Sequence, residues 1–206
     1  MKLKLPYTLR DNQKETIASI RSTIENKNHI VLESPTGSGK TFTSLAATLP
    51  FVLDKGLKII YCVRTNSQQK QVIHELKQFN EAGNSIKAVA IQGRDSLCPQ
   101  QNFDTELKKS NWSEKSKICK SLKIQAKLGE AGCQFYRRFL HDSKSLLNEW
   151  STEILTAQEF SKKAEEAGIC PYELNKLLLK DAQVVIVLSL IHISEPTRPL
   201  YISYAV

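Results

Sequence analysis

Two patterns of apolar residues alternate along the first part of the chain, one typical of helices and the other typical of buried strands. Apolar residues repeating every three or four positions predict helices at residues 8–26, 42–49 and 67–79. Continuous apolar runs predict strands, covered on both faces, at residues 29–33, 58–63 and 87–91. Strands that alternate with helices of this length predict an α/β fold built on an open parallel sheet.

The alternation stops in the middle of the chain. Residues 95–167 show no strand pattern, are rich in lysine and serine, and contain or adjoin four of the five cysteines. A helix at 171–179 and a strand at 182–188 then resume the α/β order. We therefore expect a mainly helical domain inserted into the sheet, with these limits: residues 1–94 and 171–188 for the α/β domain and 95–170 for the insertion.

A glycine-rich loop joins the predicted strand at 29–33 to the following helix, which we expect to end at Pro50. Its sequence, Ser-Pro-Thr-Gly-Ser-Gly-Lys-Thr from Ser34 to Thr41, has the order of a phosphate-binding loop. Its glycines allow successive N–H groups to face one anion at a helix N-terminus. Lys40 is placed to reach the β- and γ-phosphates, and the Thr41 hydroxyl to bind Mg²⁺. The alternative is a glycine-rich turn with an incidental lysine.

The charge and the cellular location are constrained by composition. The chain carries 29 Lys and Arg against 21 Asp and Glu, a net charge of +8, which suits a polyanionic partner but also an ordinary basic protein. No apolar run approaches the roughly 20 residues of a membrane span, and the N-terminus lacks the apolar core of a secretory signal. We expect a cytoplasmic protein, or a nuclear one if the source is eukaryotic, with no membrane partner.

The cysteines admit more than one interpretation. Cys62 lies in a predicted strand and is expected to be a small buried apolar residue. Cys98, Cys119, Cys133 and Cys170 form no Cys-x-x-Cys pair, so a metal site and four unrelated core cysteines both fit the spacing. The first and last lie at the junctions of the insertion, each followed by proline. Four thiolates suit either a [4Fe–4S] cluster or tetrahedral zinc.

Taken in order, these motifs resemble the first motor domain of an iron–sulfur superfamily 2 DNA helicase of the xeroderma pigmentosum group D (XPD/DinG-like) type. Arg10 and Gln13 resemble its adenine-contacting element, and residues 61–65 resemble the motif Ia segment that touches DNA. Residues 93–98 resemble the start of its cluster domain, and residues 170–172 resemble the end of it. Ser34 stands where the strict loop pattern has glycine, a position that superfamily 2 helicases commonly relax.

The resemblance implies a RecA-like P-loop NTPase motor domain, with an incomplete parallel sheet and an inserted helical iron–sulfur domain. It implies ATP-dependent 5′–3′ unwinding of single-stranded or forked DNA in repair or related processing. Lys40 and Thr41 are the catalytic candidates, with Thr41 on Mg²⁺. The implied ATP-binding residues are Arg10, Gln13, Thr36, Gly37, Ser38, Gly39, Lys40 and Thr41. The implied DNA-binding residues are Arg64, Thr65 and Arg94, and the implied [4Fe–4S] ligands are Cys98, Cys119, Cys133 and Cys170.

A basic stretch gives further DNA-binding candidates. Seven lysines and one acid, Glu114, lie from residue 108 to residue 127. Cations meet phosphates in single-strand sites and aromatic rings stack on bases. The aromatic candidates are Trp112, Phe135, Tyr136 and Phe139. The alternatives are a solvated helix face for the lysines, a core role for the rings, and positioning of Cys98 for Arg94.

Helicase catalysis also needs an Asp-Glu-Ala-His element and arginines from a second motor domain, and neither is found here. We therefore expect a catalytic fragment whose parent is the enzyme. The alternatives are a non-catalytic module that binds ATP and DNA, or a zinc-containing nucleic-acid-dependent ATPase. Residues 189–206 do not continue the family pattern and resemble a translated sequencing adapter. We hypothesise that they are not native sequence, the alternative being a divergent tail.

Overall fold

A three-stranded parallel sheet lies at the centre of the computed structural model, which describes residues 3–188. Its strands are β1 (Ile59–Val63), β2 (Ala88–Ile91) and β3 (Val184–Leu188). The order across the sheet is β1-β3-β2, so the strand that comes last in sequence is the central one. Ile186 of β3 is in register with a residue of β1 on one side and of β2 on the other. The predicted α/β fold with a small parallel sheet is confirmed.

The described residues form nine α-helices in addition to the three strands. Those before β2 are α1 (Asp11–Glu25), α2 (Lys40–Lys55) and α3 (Asn66–Glu81). Those between β2 and β3 are α4 (Arg94–Leu97), α5 (Thr105–Lys109), α6 (Trp112–Lys127), α7 (Gln134–Trp150), α8 (Ala157–Glu166) and α9 (Pro171–Asp181), with a 3₁₀ helix at Pro99–Asn102. Residues 95–167 contain no strand, as the sequence predicts. Within residues 3–188, no helix has the length and apolar character needed to cross a membrane.

The main core lies between the sheet and the first three helices. The apolar faces predicted for α1 and α3 are both buried in it, and their buried members are Ile17, Ile20, Val72, Ile73, Leu76 and Phe79. Phe42 of α2 stacks on Phe79 with ring centroids 5.6 Å apart. This packing anchors the first turn of α2, which follows the glycine-rich loop, in the main core.

The predicted strand at 29–33 is wrong. This segment has no strand hydrogen bonds in the structure, and Val31 is 97% exposed. A strand exists only when a neighbour accepts and donates its backbone hydrogen bonds. Within residues 3–188, β1 and β2 each pair with β3 and no strand pairs with residues 29–33, so their apolar pattern alone does not make them a strand.

The prediction that all strands are covered on both faces is also wrong for β1, and with it the predicted burial of Cys62. Ile60 is 68% exposed, and Cys62 is exposed as well. β1 is an edge strand whose side chains point alternately to its two faces. The described helices cover only one of those faces, so Ile60 and Cys62 face outward.

The predicted end of α2 at Pro50 is wrong, because the helix continues to Lys55 and ends at Gly56 in a left-handed conformation. Proline lacks an N–H, so the carbonyl one turn earlier, that of Ala46, loses its helical donor. In the structure, the guanidinium of Arg21 on α1 donates to this carbonyl at 2.9 Å. Because the freed acceptor is satisfied by another helix, α2 tolerates an internal proline.

We predict that Arg21→Ala lowers the free energy of unfolding by about 1–3 kcal/mol, since it leaves the buried Ala46 carbonyl without a donor. In a Pro50→Ala background the cost should be smaller, because the introduced alanine supplies the missing backbone N–H. Urea unfolding of the two single variants, the double variant and the wild type measures this coupling. An equal cost of Arg21→Ala in both backgrounds would show that the contact does not compensate for the proline.

Candidate nucleotide loop and four-cysteine centre

The glycine-rich loop depends on two left-handed backbone positions. Gly37 and Gly39 both have φ of +81°, a region that residues with a side chain rarely adopt. Gly39 is the N-cap of α2, and a Cβ there would lie 2.7 Å from Nε2 of Gln13. The backbone conformation therefore favours glycine at residue 39, and a side chain there would also displace the Gln13 amide. The loop places its backbone at the N-terminus of α2, as an anion-binding loop requires.

Gln13 fastens the N-terminal segment to this loop. It is buried, its Nε2 donates to the Ser38 carbonyl at 3.1 Å, and its Oε1 accepts from the Arg10 N–H at 3.1 Å. Arg10 itself is exposed beside it. The structure thus brings two predicted nucleotide-binding residues, Arg10 and Gln13, next to the loop.

Within the loop, Lys40 and the two serines hold the backbone. Nζ of Lys40 donates to the carbonyls of Ser34 and Pro35 at 2.9 and 2.8 Å. The Ser34 hydroxyl donates to that of Ser38 at 2.6 Å. Ser34, which departs from the strict loop pattern, therefore makes a hydrogen bond that glycine could not make. Thr36 is exposed, and Thr41 lies in the first turn of α2.

The predicted DNA-binding pair follows β1. Arg64 is exposed, and Thr65 is the N-cap of α3, where its Oγ1 accepts from the N–H of Gln68 at 3.2 Å. In return, Oε1 of Gln68 accepts from the Thr65 N–H at 3.3 Å, and it also accepts from the Arg64 N–H at 2.9 Å. This capping box fixes the turn that displays the Arg64 side chain.

All four predicted ligands line one cavity in the helical segment: Cys98, Cys119, Cys133 and Cys170. Cys98 ends α4, Cys119 lies within α6, and Cys133 and Cys170 are the N-caps of α7 and α9. Four different elements therefore each place one thiol in the wall of the same cavity. Within residues 3–188, however, no three His, Cys, Asp or Glu side chains are already gathered at metal-binding separations.

Burial makes three of these thiols harder to ionise than an exposed cysteine. Desolvation raises the pKa of Cys98 to about 11 and that of Cys170 to about 12, and it raises the pKa of Cys133 as well. Backbone N–H groups of Gln100, Glu173 and Tyr136 partly oppose these shifts, since they favour the thiolate. A bound metal would have to displace protons from this cavity.

The donor set and the charge of the cavity wall fit a thiolate-bound metal. Four thiols are the usual ligands of a [4Fe–4S] cluster and of structural zinc. The same cavity is lined by two cations, Arg94 and Lys123, and by one carboxylate, Glu173, and the excess of positive charge would offset part of the negative charge of bound thiolates. The residues present therefore fit either group.

Arg94 is directed into this wall. Its guanidinium lies 4.8 Å from the ring centroid of Tyr172, and it donates to the Ser116 hydroxyl at 3.5 Å. This placement supports the alternative role foreseen for Arg94, the positioning of the adjacent Cys98 segment. Of the three predicted DNA-binding residues, only Arg64 presents an exposed cationic side chain.

The basic stretch divides into an outer and an inner set. Five of its seven lysines are exposed, namely Lys108, Lys109, Lys117, Lys120 and Lys127. The other two form ion pairs, Lys115 with Asp95 and Lys123 with Glu173, both at 2.6 Å. Phe135 and Tyr136 are buried, whereas Trp112 is 73% exposed. Trp112 and the five exposed lysines therefore form the outer surface available to a polyanion.

Two cavity residues, Lys123 and Glu173, were missed by sequence reasoning. The signal available was helical spacing, since Lys123 lies one turn after Cys119 and Glu173 lies in the first turn after Cys170. That spacing places each residue near a cysteine, but it does not show that the two meet.

Comparison with known proteins identifies the class. The model of the DEAD_2 family matches residues 61–198, and the chain belongs to this family. Two solved structures share the fold: an XPD helicase, with a TM-score of 0.52, 19% identity and 88% of this chain covered, and a truncated XPD, with 0.50, 22% and 87%. The chain covers 28% and 44% of those two chains. The predicted resemblance to XPD-type superfamily 2 helicases is confirmed.

Among curated proteins, the chain is similar to regulators of telomere elongation helicase 1. The Caenorhabditis elegans homolog is 23% identical over 90% of this chain, the Arabidopsis thaliana homolog 26% over 89%, and the Homo sapiens protein 25% over 87%. The matched region is 21%, 20% and 17% of those proteins, so the chain spans about a fifth of the length of its curated relatives.

We predict that the apparent affinity of the metal-free chain for Zn²⁺ increases with pH. Because the thiols are protonated at neutral pH, each thiol that binds metal must release a proton, so affinity falls as pH falls. The apparent affinity is expected to increase about tenfold per pH unit for each proton that the metal displaces. Competition with a chromophoric chelator between about pH 6.5 and 8, with proton release recorded in weak buffer, measures it. Binding that is independent of pH would show that the thiols are already ionised.

Proposed function

We propose that the chain is part of an ATP-dependent DNA helicase that binds ATP at the Ser34–Thr41 loop and single-stranded or forked DNA on its basic surface. The observation that supports this proposal is that one parallel-sheet domain combines a four-thiol cavity with a glycine-rich loop that is hydrogen-bonded to Gln13. Membership of the DEAD_2 family supports it. From the family resemblance, we propose that the parent enzyme moves 5′–3′ along DNA and acts in DNA repair or processing. We propose the cytoplasm or the nucleus as its location.

The nucleotide would occupy the N-terminus of α2. Lys40 would exchange its bonds to two loop carbonyls for the β- and γ-phosphates, Thr41 would bind Mg²⁺, and Arg10 and Gln13 would lie near the base. Thr36, Gly37, Ser38 and Gly39 would supply the loop backbone. The sequence contains no Asp-Glu-Ala-His element to orient water. We therefore expect this chain alone to bind ATP without turning it over, the parent enzyme supplying the rest.

The DNA strand would pass the C-terminal end of β1 and the outer face of α6. Arg64 and Thr65 would contact phosphates, and Trp112 offers an exposed ring for stacking between lysines. Contacts of this kind carry no sequence readout and weaken as salt increases.

The four cysteines would hold a [4Fe–4S] cluster that acts as a structural cross-link. When bound, the cluster joins the four elements that carry Cys98, Cys119, Cys133 and Cys170. The surrounding apolar group is small, with Ala126, Cys133, Phe135 and Tyr136 as its buried members. Such a segment needs a cross-link to keep its helices together. We propose the domain limits 95–170 for this insertion.

We predict that Lys40→Ala weakens ATP binding about tenfold or more, because a charged donor to the phosphates is lost. Lys70→Ala, which removes an exposed lysine of α3, is the matched control and should bind as the wild type does. Titration with a fluorescent ATP analogue in the presence of Mg²⁺ measures both. Equal affinity of Lys40→Ala and the wild type would contradict nucleotide binding at this loop.

We predict about four irons and four sulfides per chain after anaerobic purification. Cys133→Ser should lose the cluster and loosen the helical segment, and in the parent protein it should uncouple ATP turnover from unwinding. Cys62→Ser, which changes the exposed cysteine outside the cavity, should keep full iron content. Wild-type iron in Cys133→Ser would refute the ligand assignment, and stoichiometric zinc in the wild type would instead favour a zinc-containing ATPase.

A further inference from the structure

A largely buried ion pair stands in the wall of the four-cysteine cavity. Nζ of Lys123 lies 2.6 Å from Oε1 of Glu173, and their side chains are 23% and 10% exposed. Lys176 reaches the other carboxylate oxygen at 3.0 Å, but its side chain is 53% exposed. Lys123 is therefore the inner partner of Glu173 and Lys176 the outer one. Neither Lys123 nor Glu173 is one of the proposed ligands.

This pair joins three of the elements that carry a cysteine. Lys123 lies one turn after Cys119 on α6, and Glu173 lies in the first turn of α9, which begins after Cys170. The Lys123 ammonium also lies 5.0 Å from the ring centroid of Tyr136, in the first turn of α7 after Cys133. The Lys123 ammonium group, which belongs to α6, thus contacts side chains of both α7 and α9.

The backbone around Cys133 leaves little room for these helices to move separately. The Cys133 N–H donates to the carbonyl of Leu122, the residue before Lys123, at 3.2 Å. A Cβ on Gly132 would lie 2.3 Å from the same carbonyl oxygen. The α6 turn that carries Lys123 is therefore in direct contact with the Cys133 segment, and a shift of Lys123 would move both.

We propose that the Lys123–Glu173 pair is a positioning element of the four-cysteine centre, which holds α6, α7 and α9 together and sets the charge beside the thiolates. The inference rests on the proposed function in one respect, namely that this cavity binds a metal. Groups that orient metal ligands without touching the metal control both its retention and its electronic properties.

The two charges have opposite effects that a purely structural role would not produce. A cluster bound by four thiolates is negative, so a nearby cation favours its reduced form and a nearby anion opposes it. Glu173→Gln leaves the Lys123 ammonium without its partner and should raise the reduction potential. Lys123→Gln leaves the carboxylate with only the half-exposed Lys176 and should lower it. Loss of packing alone would not give these opposite signs.

The test uses the full chain, purified anaerobically, as the wild type, K123Q, E173Q and the double variant K123Q/E173Q. The matched control is K162Q/E166Q, which removes an exposed pair on α8 whose charged atoms are 3.9 Å apart. The measurements are iron per chain, the rate of iron loss to a chelator, and the midpoint potential by redox titration. If the wild type binds zinc instead, the rate of zinc loss replaces the two iron measurements. That rate then tests whether the ion pair positions the cysteines.

We expect each single variant to lose iron about tenfold faster than the wild type, with potentials displaced in opposite directions. The double variant removes both inner charges and leaves only the half-exposed Lys176 without its partner, so it should also lose iron faster but keep a potential near that of the wild type. The control should change neither quantity. The double variant keeps the test decisive where a single variant fails to fold.

Wild-type rates and potentials in K123Q, E173Q and the double variant would overturn the inference. Potentials that move in the same direction in both single variants would overturn its electrostatic part. A wild-type chain that binds no metal would contradict the proposed function itself. This outcome differs from those that overturn only the proposed role of the ion pair, because they require a wild type that binds metal.

Discussion

The pairing of β3 with both other strands is the constraint on which the rest of the structure depends. β1 and β2 do not pair with each other, so the sheet exists only because Val184–Leu188 lies between them. Because β2 and β3 are parallel, the chain must leave the sheet at the C-terminal end of β2 and return to the opposite end of the strands to begin β3. Residues 92–183 make that crossing, and the four-cysteine cavity lies within it. The centre is therefore part of the sheet's own connection.

The helices and the two sites are joined to this sheet by polar contacts as well as by apolar packing. The buried Asn175 of α9 donates to the Ala90 carbonyl of β2 at 3.1 Å, which links the helix after Cys170 to the sheet. Gln69 of α3, also buried, donates to the Ile91 carbonyl at 3.3 Å. Each bond satisfies a group that would otherwise be costly to bury. The cysteine segment and the sheet are thereby held in a fixed relation.

Local patterns could be predicted from the sequence, and contacts between distant segments could not. The apolar stripe of α3 and the loop from Ser34 to Thr41 depend on residues close together in the sequence. The spacing of those residues was therefore sufficient to predict them. Three features depend instead on contacts with distant segments: the unpaired segment at 29–33, the exposed face of β1 and the continuation of α2 past Pro50. For α2, the distant contact is the hydrogen bond from Arg21 to the Ala46 carbonyl. Lys123 and Glu173 are 50 residues apart and meet only because α6 and α9 pack beside one cavity. The cysteines were grouped from family resemblance, since their spacing left the question open.

The raised thiol pKa values have a consequence for chemical reactivity. Oxidants, alkylating agents and disulfides attack thiolates, and a buried neutral thiol is a poor nucleophile. Cys98 and Cys170, with pKa values of about 11 and 12, are therefore almost entirely thiols at neutral pH. Exposed Cys62 lacks this burial and is the first cysteine that a reagent in solution meets. Burial in the cavity thus makes Cys98 and Cys170 less reactive toward oxidants in solution.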